Sequence, residues 1–459
     1  MTALTNNLNS PSRRHFMKSG VGLGLIIGMS AMSVFSFANV PEPLKVVVVG
    51  GGYGGATAAK YLKLWGKTAV EVTMIEPKEL FMSPIMSGMV VTSQLEVDRI
   101  SFSYDRLRDV HGVHVIKESV ATVDAAAKTV TLSDGTTTVP YDRLILSPGI
   151  DFVDVEGWDR EKLPHAWDGS EQTMLLQKQL ACFPEGGTLI FNVPSYPFRC
   201  PPGVYERATS VADYLRVKNK NAKVIVLDTQ ADIFVENELF HGLYDDMGVE
   251  YIGNTRILSV NSGDDEGNGR SITYVNIERE ERVLPSNPFP KEIEGSASAP
   301  VTIEADVINL IPDNKAAPLI FSAGLVPEGA LWAPVNELTY ESVIPGKEGI
   351  HILGDSLYTM QSKAGQMANA QAKVCADAIL KILAGQAVYQ HPVTTAGGFA
   401  PTVGGKVNWI GVSYIYDPTF NNGMGAMVRK TFRSAPEPTE ANREQMLKWA
   451  NNLFADTWG

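Results

Sequence analysis

The chain has 459 residues, and 51 acidic against 39 basic residues give it a formal net charge of −12. An acidic chain without a basic run is a poor partner for nucleic acid, which carries charge of the same sign. The length predicts two or three domains, and the three cysteines are too few for a disulfide framework and form neither a haem-attachment nor a zinc-binding pattern.

Residues 1–38 have the pattern of a targeting segment and are kept apart from the fold. A twin-arginine pattern at 12–18 is followed by an apolar run at 21–37 and a small-residue site at 36–38. A membrane anchor is the alternative, but the run contains glycines and serines and is short for a spanning helix. We expect export to the periplasm by the twin-arginine pathway, after folding around a cofactor, and no membrane span in the mature chain.

An apolar run that opens into a glycine loop dominates the N-terminal half. Residues 45–49 have the valine-rich pattern of a buried parallel strand, and the spacing that follows is Gly50-x-Gly52-x-x-Gly55. In a dinucleotide site such glycines permit a tight turn, close approach to a pyrophosphate and packing of a helix whose N-terminus faces the phosphates. A predicted helix at 56–65 and a predicted strand at 70–75 complete a βαβ unit.

Glu76 closes the second strand, where a carboxylate can accept the hydroxyls of an adenosine ribose. An acidic residue there argues against a 2′-phosphate, so the sequence predicts FAD or NAD rather than NADP. A solvated charge at a strand end is the alternative for Glu76. The predicted cofactor contacts of this unit are Gly50, Gly52, Tyr53, Gly54, Gly55 and Glu76.

The next hundred residues predict strands and turns that complete the first half. Residues 81–88 are apolar and turn-prone, which is typical of a loop beside a ring system, although a plain surface loop is possible. Strands over 113–123 and 128–132, with a hairpin turn at Asp134-Gly135, predict a small sheet. Residues 141–149 predict a buried strand that ends in a tight turn. This order is typical of flavoproteins with two dinucleotide domains.

A second βαβ pattern differs from the first at its loop. Strands are predicted over 188–193 and 223–227, with a helix over 205–218 between them. The loop at 194–203 is rich in proline where a nicotinamide site needs glycines, and prolines lack the N–H groups that would hold a pyrophosphate. We therefore expect a nucleotide-type fold without the nucleotide, in which Asp228 is a structural cap or a relic rather than a ribose ligand.

The last third predicts a return to the first domain and a C-terminal helix. Residues 261–300 predict a hairpin with surface loops, and strands are expected over 301–310 and 350–356. Asp355, followed by a predicted helix at 365–383, can bind ribityl hydroxyls while the helix dipole faces the flavin pyrimidine; a helix cap is the alternative. An amphipathic helix over 440–456 is expected to form a separate C-terminal piece.

These features resemble the flavoprotein subunit of periplasmic flavocytochrome c sulfide dehydrogenases, which are relatives of sulfide:quinone oxidoreductases in the disulfide-reductase-like group. The resemblance covers the mature chain, and the Arg-Cys-Pro-Pro-Gly loop at 199–203 is its most discriminating motif. The other motifs are Val-Gly-Gly-Gly-Tyr-Gly-Gly at 49–55, Ser-Pro-Gly-Ile at 147–150, His-Ala-Trp at 165–167, Ala-Asp-Val-Ile-Asn at 305–309, Gly-Asp-Ser at 354–356 and Ala-Asp-Thr-Trp at 455–458.

The resemblance implies an α/β fold with two Rossmann-like dinucleotide-binding domains, as in disulfide-reductase-like flavoproteins, plus a small C-terminal domain. We expect a signal peptide at 1–38 and a discontinuous FAD-binding domain at 39–155 and 300–390. A second Rossmann-like domain without an NAD loop is expected at 156–299, and a flavocytochrome-type domain at 391–459.

In that family a redox disulfide lies against the flavin, sulfide attacks it, and two electrons pass through FAD singly to a cytochrome c subunit. By resemblance, Cys200 matches one half of the disulfide and Glu206 an acidic residue that moves protons beside it. The other half should fall in a Trp-Cys-Pro pattern, but this chain has Trp332-Ala333-Pro334. Cys200 is therefore expected to be a lone thiol.

Pro84 stands where family members that attach FAD covalently have a cysteine, so the resemblance implies FAD bound non-covalently. Cys375 is a poor substitute for the missing partner, because it lies about 15 Å along its predicted helix from the flavin end and a disulfide needs Cα atoms within about 7 Å. An inert role is expected for Cys182. The remaining predicted cofactor contacts are Pro84, Gly149, Gly354 and Asp355, and no metal site is predicted.

Two function classes stay open at this point. The first is an enzyme that oxidises sulfide, or another small reduced sulfur compound, with FAD and a cytochrome c acceptor; Arg199 could then lower the pKa of the Cys200 thiol, or could simply pair with an acidic neighbour. The second is a redox-impaired flavoprotein that binds or stabilises a partner. A membrane-bound quinone reductase is a weaker third possibility, because no terminal amphipathic anchor stands out.

Overall fold

The computed structural model describes residues 42–279, 294–423 and 425–459. The predicted signal peptide at 1–38 lies outside these residues, as does part of the polar segment at 261–300. All described residues belong to one structural unit, Phe35–Gly459.

Helices and strands are interspersed along the described residues, which confirms the predicted mixed α/β fold. The helices are α1 Tyr53–Gly66, α2 Ser87–Val91, α3 Asp105–Asp109, α4 Glu171–Ala181, α5 Gly203–Val217, α6 Asn237–Met247, α7 Pro318–Ser322, α8 Gly365–Leu383, α9 Phe420–Gly423 and α10 Glu440–Trp458. Short 3-10 turns occupy Lys67–Ala69, Val97–Ile100, Gly354–Ser356 and Val403–Gly405.

The strands follow the same chain order. The first ten are β1 Leu44–Val49, β2 Val70–Ile75, β3 Leu80–Met82, β4 Ser101–Ser103, β5 His114–Ile116, β6 Val120–Asp124, β7 Thr129–Leu132, β8 Thr138–Pro140, β9 Arg143–Leu146 and β10 Ile150–Phe152. The next nine are β11 Thr188–Val193, β12 Lys223–Asp228, β13 Glu250–Ile252, β14 Thr255–Asn261, β15 Ser271–Arg279, β16 Glu294–Ala297, β17 Val301–Glu304, β18 Val307–Asn309 and β19 Asn314–Ala316. The last six are β20 Val335–Asn336, β21 Glu341–Ser342, β22 Ile350–Ile352, β23 Val393–Pro401, β24 Val407–Asp417 and β25 Ala426–Ser434.

A seven-stranded sheet of order β20-β21-β22-β9-β1-β2-β5 carries the glycine loop. Strands β22, β9, β1, β2 and β5 run parallel, with Val46 of β1 opposite Val72 of β2 and Arg143 of β9. The valines of β1 from position 46 onward are buried, as expected for a central parallel strand. Helices α1 and α8 pack against each other beside this sheet. The carboxyl ends of its parallel strands therefore share one edge.

In the first half, one helix and one strand are as predicted, whereas the loop predicted over 81–88 contains the end of β3 and the start of α2. The predicted helix at 56–65 lies within α1, and the predicted strand at 70–75 is β2. The single strand predicted over 113–123 is wrong, because β5 pairs with β2 in the large sheet and β6 pairs with β7 in the small sheet β6-β7-β8. Glu118 separates them: its N–H bonds back to the carbonyl of Ile116 (3.1 Å), and its carboxylate accepts the N–H of Ser119.

A second parallel sheet has the order β13-β12-β11-β18 and packs with α5 and α6 around its own core. The predicted strand-helix-strand pattern of this region is confirmed. The single strand predicted over 301–310 is wrong: β17 pairs antiparallel with β15, whereas β18 pairs parallel with β11. The chain changes sheet at Asp306, whose carboxylate accepts the N–H of Thr188 (2.8 Å), and at Ala305, whose N–H donates to Arg270 O (3.0 Å).

The C-terminal part contains the antiparallel sheet β23-β24-β25, which the sequence did not predict, and α10, which it did. Ala450, Leu453, Phe454 and Trp458 of α10 belong to the same hydrophobic core as β1 and α1. The end of the chain is thereby brought to the glycine loop.

Candidate active site

The turn from β1 into the first residues of α1 accepts only glycine at two positions. Gly50 has φ +99°, and a Cβ there would lie 2.4 Å from the carbonyl oxygen of Ser147. A Cβ on Gly55 would lie 1.9 Å from the carbonyl oxygen of Gly50. The first N–H groups of α1 emerge from this loop and have no acceptor within the helix. The loop therefore has the geometry that a pyrophosphate requires.

Glu76 and Tyr104 lie beside the central residue of this loop. The Glu76 carboxylate accepts hydrogen bonds from the N–H groups of Gly51 (2.7 Å) and Lys78 (3.0 Å). The Tyr104 side chain is 5% exposed, and among the described residues its hydroxyl has no hydrogen-bond partner. Burial, and then the charge of Glu76, raise the pKa of Tyr104, so this hydroxyl stays protonated. A carboxylate and an unsatisfied donor at a glycine loop fit the ribose and phosphates of a dinucleotide.

The Gly354–Ser356 turn follows β22 at the same edge of the sheet. The Ser356 hydroxyl donates to the carbonyl of Gly149, which ties this turn to the one that follows β9. The Asp355 carboxylate accepts a hydrogen bond from Nε of Arg199 at 2.7 Å, and both side chains are largely buried. Of the two roles considered for Arg199, pairing with an acidic neighbour is confirmed. This ion pair attaches the loop that carries Cys200 to the predicted cofactor turn.

Cys200 lies in the proline-rich loop and has a left-handed backbone conformation, with φ 51°. Its N–H donates to the carbonyl of Lys363 (2.9 Å), and its carbonyl accepts the N–H of Gly203 (2.8 Å). A Cβ on Gly203 would lie 3.0 Å from the Cys200 sulfur and 2.6 Å from the ring of Trp167. The missing side chain at Gly203 thus leaves room beside the sulfur.

The Cys200 thiol is neutral at physiological pH. Burial raises its pKa to about 12, Glu206 adds to the rise, and Arg207 and Arg199 offset only part of it. Arg199 lowers the pKa of this thiol, as the sequence suggested, but burial has the larger effect and the thiol stays protonated. A proton acceptor must therefore act on the thiol before it can react.

Glu206, in the first turn of α5, has the properties of such an acceptor. Burial raises the pKa of its carboxyl to about 8, with Arg207 offsetting part of the rise. The Arg207 guanidinium lies 5.0 Å from the centroid of the Trp167 ring and donates to Oδ1 of Asn309 (3.2 Å). A carboxyl with a pKa near the working pH can both accept and release a proton.

Lys363 is a site residue that sequence reasoning missed. Its side chain is 5% exposed, and its Nζ donates to the carbonyls of Asp355 (2.9 Å) and Leu357 (2.6 Å). Burial lowers the pKa of this amine to about 7, although Asp355 raises it in part. The available signal was a lysine among small residues immediately before the helix at 365–383.

The Trp332-Ala333-Pro334 segment meets the Cys200 loop through Lys363. Ala333 is fully buried; its N–H donates to the carbonyl of Ser356 (3.0 Å) and its carbonyl accepts the N–H of Tyr358 (2.8 Å). The Nζ of Lys363 lies 3.7 Å from the centroid of the Trp332 ring, while its carbonyl binds the N–H of Cys200. The two segments that the resemblance assigns to a disulfide therefore contact one residue.

The three cysteines are free. Cys375 is fully buried in the core that contains β1 and α8, and burial raises the pKa of its thiol. Cys182 is exposed immediately after α4. Neither is in the hydrophobic cluster that Cys200 adjoins, around β11 and α5.

The loop at Pro84 lies against Gly169, where a Cβ would be 2.7 Å from the Pro84 nitrogen. Ser83 is buried there and its Oγ is 2.6 Å from the hydroxyl of Tyr53, at the start of α1. The predicted loop thus packs against the first turn of the dinucleotide helix, with a proline and no thiol at position 84.

In the second parallel sheet, the groups that could bind a nicotinamide nucleotide are hydrogen-bonded to other residues of this protein. Asp228 is fully buried and accepts hydrogen bonds from the hydroxyls of Tyr205 (2.6 Å) and Tyr251 (2.9 Å). The N–H of Ser195 in the proline-rich loop donates to the Asp313 carboxylate (2.6 Å). Asp228 is therefore a structural residue, as the sequence favoured.

Two features are absent from the described residues. No helix among them is long and apolar enough to span a bilayer. No group of three or more histidine, cysteine, aspartate or glutamate side chains among them is placed to hold a metal ion.

Two family models match the chain. Residues 44–177 match the pyridine nucleotide-disulphide oxidoreductase model. Residues 173–312 match a model of the central part of the flavoprotein chain of flavocytochrome c sulfide dehydrogenase.

Two similar proteins are named as sulfide oxidoreductases. The chain is 48% identical over 46 residues to the flavoprotein chain of flavocytochrome c sulfide dehydrogenase from Chlorobaculum thiosulfatiphilum, a match that covers 10% of this chain and 94% of that one. It is 26% identical over 197 residues to the mitochondrial sulfide:quinone oxidoreductase of Dictyostelium discoideum, which covers 39% of this chain. The match spans only 40% of the length of the Dictyostelium protein.

Among solved structures, the sulfide:quinone oxidoreductase of Aquifex aeolicus is similar, with a TM-score of 0.69 over 90% of this chain and 91% of that one. The two are 16% identical, so the likeness concerns the fold. Together with the family model over residues 44–177, it confirms the predicted disulfide-reductase-like fold.

Proposed function

Because the chain belongs to the family of flavocytochrome c sulfide dehydrogenase flavoprotein chains, we propose that it oxidises sulfide, or another small reduced sulfur compound, in the periplasm. FAD is its cofactor, and a cytochrome c subunit is the proposed electron acceptor. The name of the Chlorobaculum relative supports a cytochrome partner, and the twin-arginine pattern at 12–18 supports export.

The observation that carries this proposal is the Arg199–Asp355 ion pair of 2.7 Å. It attaches the Cys200 loop to the turn where FAD is predicted to bind, and Lys363 attaches the same loop through its carbonyl. The Cys200 thiol and the Lys363 amine, whose pKa is about 7, are thereby brought to one turn, and the Glu206 carboxyl, whose pKa is about 8, is close enough to raise the pKa of the thiol.

The described residues would hold FAD through the glycine loop, Glu76 and Asp355. When bound, FAD supplies the capacity to take up an electron pair and to release the electrons singly. At the protein, a Cys200 thiol and a hydrosulfide ion form one S–S bond and together lose a proton and an electron pair, giving a persulfide. Glu206 takes that proton, and Lys363 offers a positive charge to the hydrosulfide when its amine is protonated.

Anaerobic addition of sulfide to the purified holoprotein, followed by oxidised cytochrome c, tests this proposal. We expect sulfide to bleach the flavin, and cytochrome c to restore its colour while becoming reduced. NADH is expected not to bleach it, because the proline-rich loop cannot hold a pyrophosphate closely. Restoration by a soluble quinone but not by cytochrome c would instead support a quinone-linked oxidoreductase.

A redox-impaired flavoprotein that binds a partner is the second candidate. Ala333 in place of a second cysteine, and the neutral Cys200 thiol with a pKa of about 12, favour it. Flavin that keeps its colour in excess sulfide would support this candidate and contradict the first.

A further inference from the structure

The last turn of α10 lies on the dinucleotide loop. Trp458 is 3% exposed, and its indole N–H donates to the carbonyl of Gly51 at 3.1 Å. The N–H of the same glycine donates to the Glu76 carboxylate (2.7 Å). Both polar groups of the loop's central residue are therefore held by side chains, one of them from the end of the chain.

Aromatic contacts reinforce this position of the indole. The Trp458 ring stacks on Phe102, with centroids 4.8 Å apart and planes 2° apart, and on Phe81, with centroids 4.9 Å apart. Phe81 in turn lies 3.3 Å from where a Cβ of Gly52 would be. Tyr53, the first residue of α1, packs on the same indole with centroids 4.9 Å apart. The indole thus packs on the glycine loop and on the side chains that line it.

Asp456 joins this turn to both helices that begin at the cofactor edge. Its carboxylate accepts hydrogen bonds from the Tyr61 hydroxyl of α1 (2.5 Å) and from Asn369 Nδ2 of α8 (2.9 Å), and it forms an ion pair with Lys373 of α8 (2.6 Å). Lys60 of α1 donates to the carbonyls of residues 455 (2.9 Å) and 456 (3.0 Å). The end of the chain therefore connects α1, α8 and the loop between β1 and α1.

We propose that residues 455–459, here called the latch, retain FAD by holding the dinucleotide loop in its binding conformation. This inference rests on the proposed function, because it requires FAD in that loop. A loop that is ordered before the cofactor arrives loses less conformational freedom on binding. When the cofactor leaves, the loop can open only after the Trp458 contacts break. The latch acts on retention of the cofactor and does not touch Cys200.

Trp458→Phe tests the latch with the least change of packing, because it keeps an aromatic ring and removes the indole N–H. We expect the rate of FAD release to rise about fivefold, the factor that one lost hydrogen bond gives. Deletion of residues 456–459 should raise it by more than about tenfold, since it also removes stacking and the Asp456 contacts. The rate is measured as the rise of free-flavin fluorescence after dilution of the holoprotein.

Trp449→Phe is the matched control on the same helix. Trp449 also loses an indole hydrogen bond, to Oε1 of Gln366 at 2.9 Å, but it packs on Phe399 rather than on the glycine loop. Its FAD release rate should stay at the wild-type value. Equal acceleration by both tryptophan variants would overturn the latch, because it would trace the effect to general loosening of α10.

The outcomes separate the latch from the proposed function. Wild-type protein that holds FAD, with Trp458→Phe releasing it at the wild-type rate, overturns the latch alone. Wild-type protein that holds no FAD overturns both. If the deletion variant does not fold, as judged by circular dichroism of the apoprotein, the comparison of the two Phe variants still decides the question.

Discussion

Arg199 and Lys363 determine how the Cys200 loop is placed. Arg199 reaches Asp355 through its guanidinium (2.7 Å), and Lys363 holds the Cys200 N–H with its carbonyl (2.9 Å). The Lys363 amine at the same time contacts Trp332 of the segment that carries Ala333. Substitution of either cation would therefore disturb the thiol and the cofactor turn together, so variants of Glu206 and Ala333 give clearer tests.

Glu206→Gln should change how stability depends on pH. The folded-state pKa of about 8 lies above the ordinary value of 4.5, so between these values the folded protein binds more protons than the unfolded chain. The free energy of unfolding must then fall as pH rises through this interval. Glutamine does not titrate, so the variant does not lose this stability. We expect the urea midpoint of Glu206→Gln to exceed that of the wild type by an amount that grows from pH 4.5 to about 8 and is constant above.

Glu171→Gln is the control for this measurement, since Glu171 also lies in the first turn of a helix, α4, but is exposed. The difference in urea midpoint between Glu171→Gln and the wild type should not vary with pH over the same interval. A flat difference for Glu206→Gln would mean that its carboxyl is not buried as described.

Ala333→Cys should restore a disulfide with Cys200, because both segments contact Lys363. The wild-type protein has three free thiols, and the variant should show two after denaturation without reductant. The double variant that combines Ala333→Cys with Cys200→Ala should show three free thiols under the same conditions. Four free thiols in Ala333→Cys would place position 333 away from Cys200 and would remove the main support for the disulfide carried over from the family.

At the residue scale, the sequence predicts the groups that a local motif marks. The glycines and Glu76 follow from spacing along one βαβ unit, and Cys200 follows from the motif at 199–203. Lys363 and Trp458 were not predicted as site residues, because the contacts that bring them to the site join distant parts of the chain: Lys363 binds the N–H of Cys200, and Trp458 meets Gly51 across 407 positions. The raised pKa of Cys200 could not be foreseen either, because it results from burial rather than from the adjacent arginine.

The β1–α1 element supplies a test of the dinucleotide site. Gly55→Ala would place a Cβ 1.9 Å from the carbonyl oxygen of Gly50, a clash with backbone that no side-chain movement can relieve. We expect this variant to purify with almost no FAD, measured as flavin absorbance per chain. Gly88→Ala in α2 is the matched control, since beyond its chain neighbours and the backbone of its own helix no atom lies within 4 Å of the added methyl, and it should retain full flavin. Full flavin in Gly55→Ala would contradict the assignment of this loop.

At the element scale, predictions succeeded where periodicity was uninterrupted and failed where long-range contacts divide a run. Strand β2 and helix α8 have the predicted bounds, because a buried parallel strand and an amphipathic helix have strong patterns. The runs at 113–123 and 301–310 are apolar enough for single strands, yet each is divided between two sheets. Strands β23–β25 escaped prediction because glycines, prolines and aromatics obscure their alternation.

The whole molecule is expected to hold FAD without a covalent bond. Position 84 is a proline, and the described cysteines, at 182, 200 and 375, are free. Acid precipitation should therefore release yellow flavin into the supernatant and leave a colourless pellet. A yellow pellet after repeated acid washing would contradict this prediction and indicate attachment elsewhere in the chain.

The central claim is that Cys200 takes part in sulfur oxidation on this flavoprotein. Anaerobic titration of wild-type and Cys200→Ala holoprotein with sulfide, followed by flavin absorbance, tests it most directly. We predict that sulfide bleaches the wild-type flavin and leaves the flavin of Cys200→Ala oxidised, at equal FAD content. Equal bleaching of both proteins would contradict the claim, because sulfide would then reduce the flavin without the thiol.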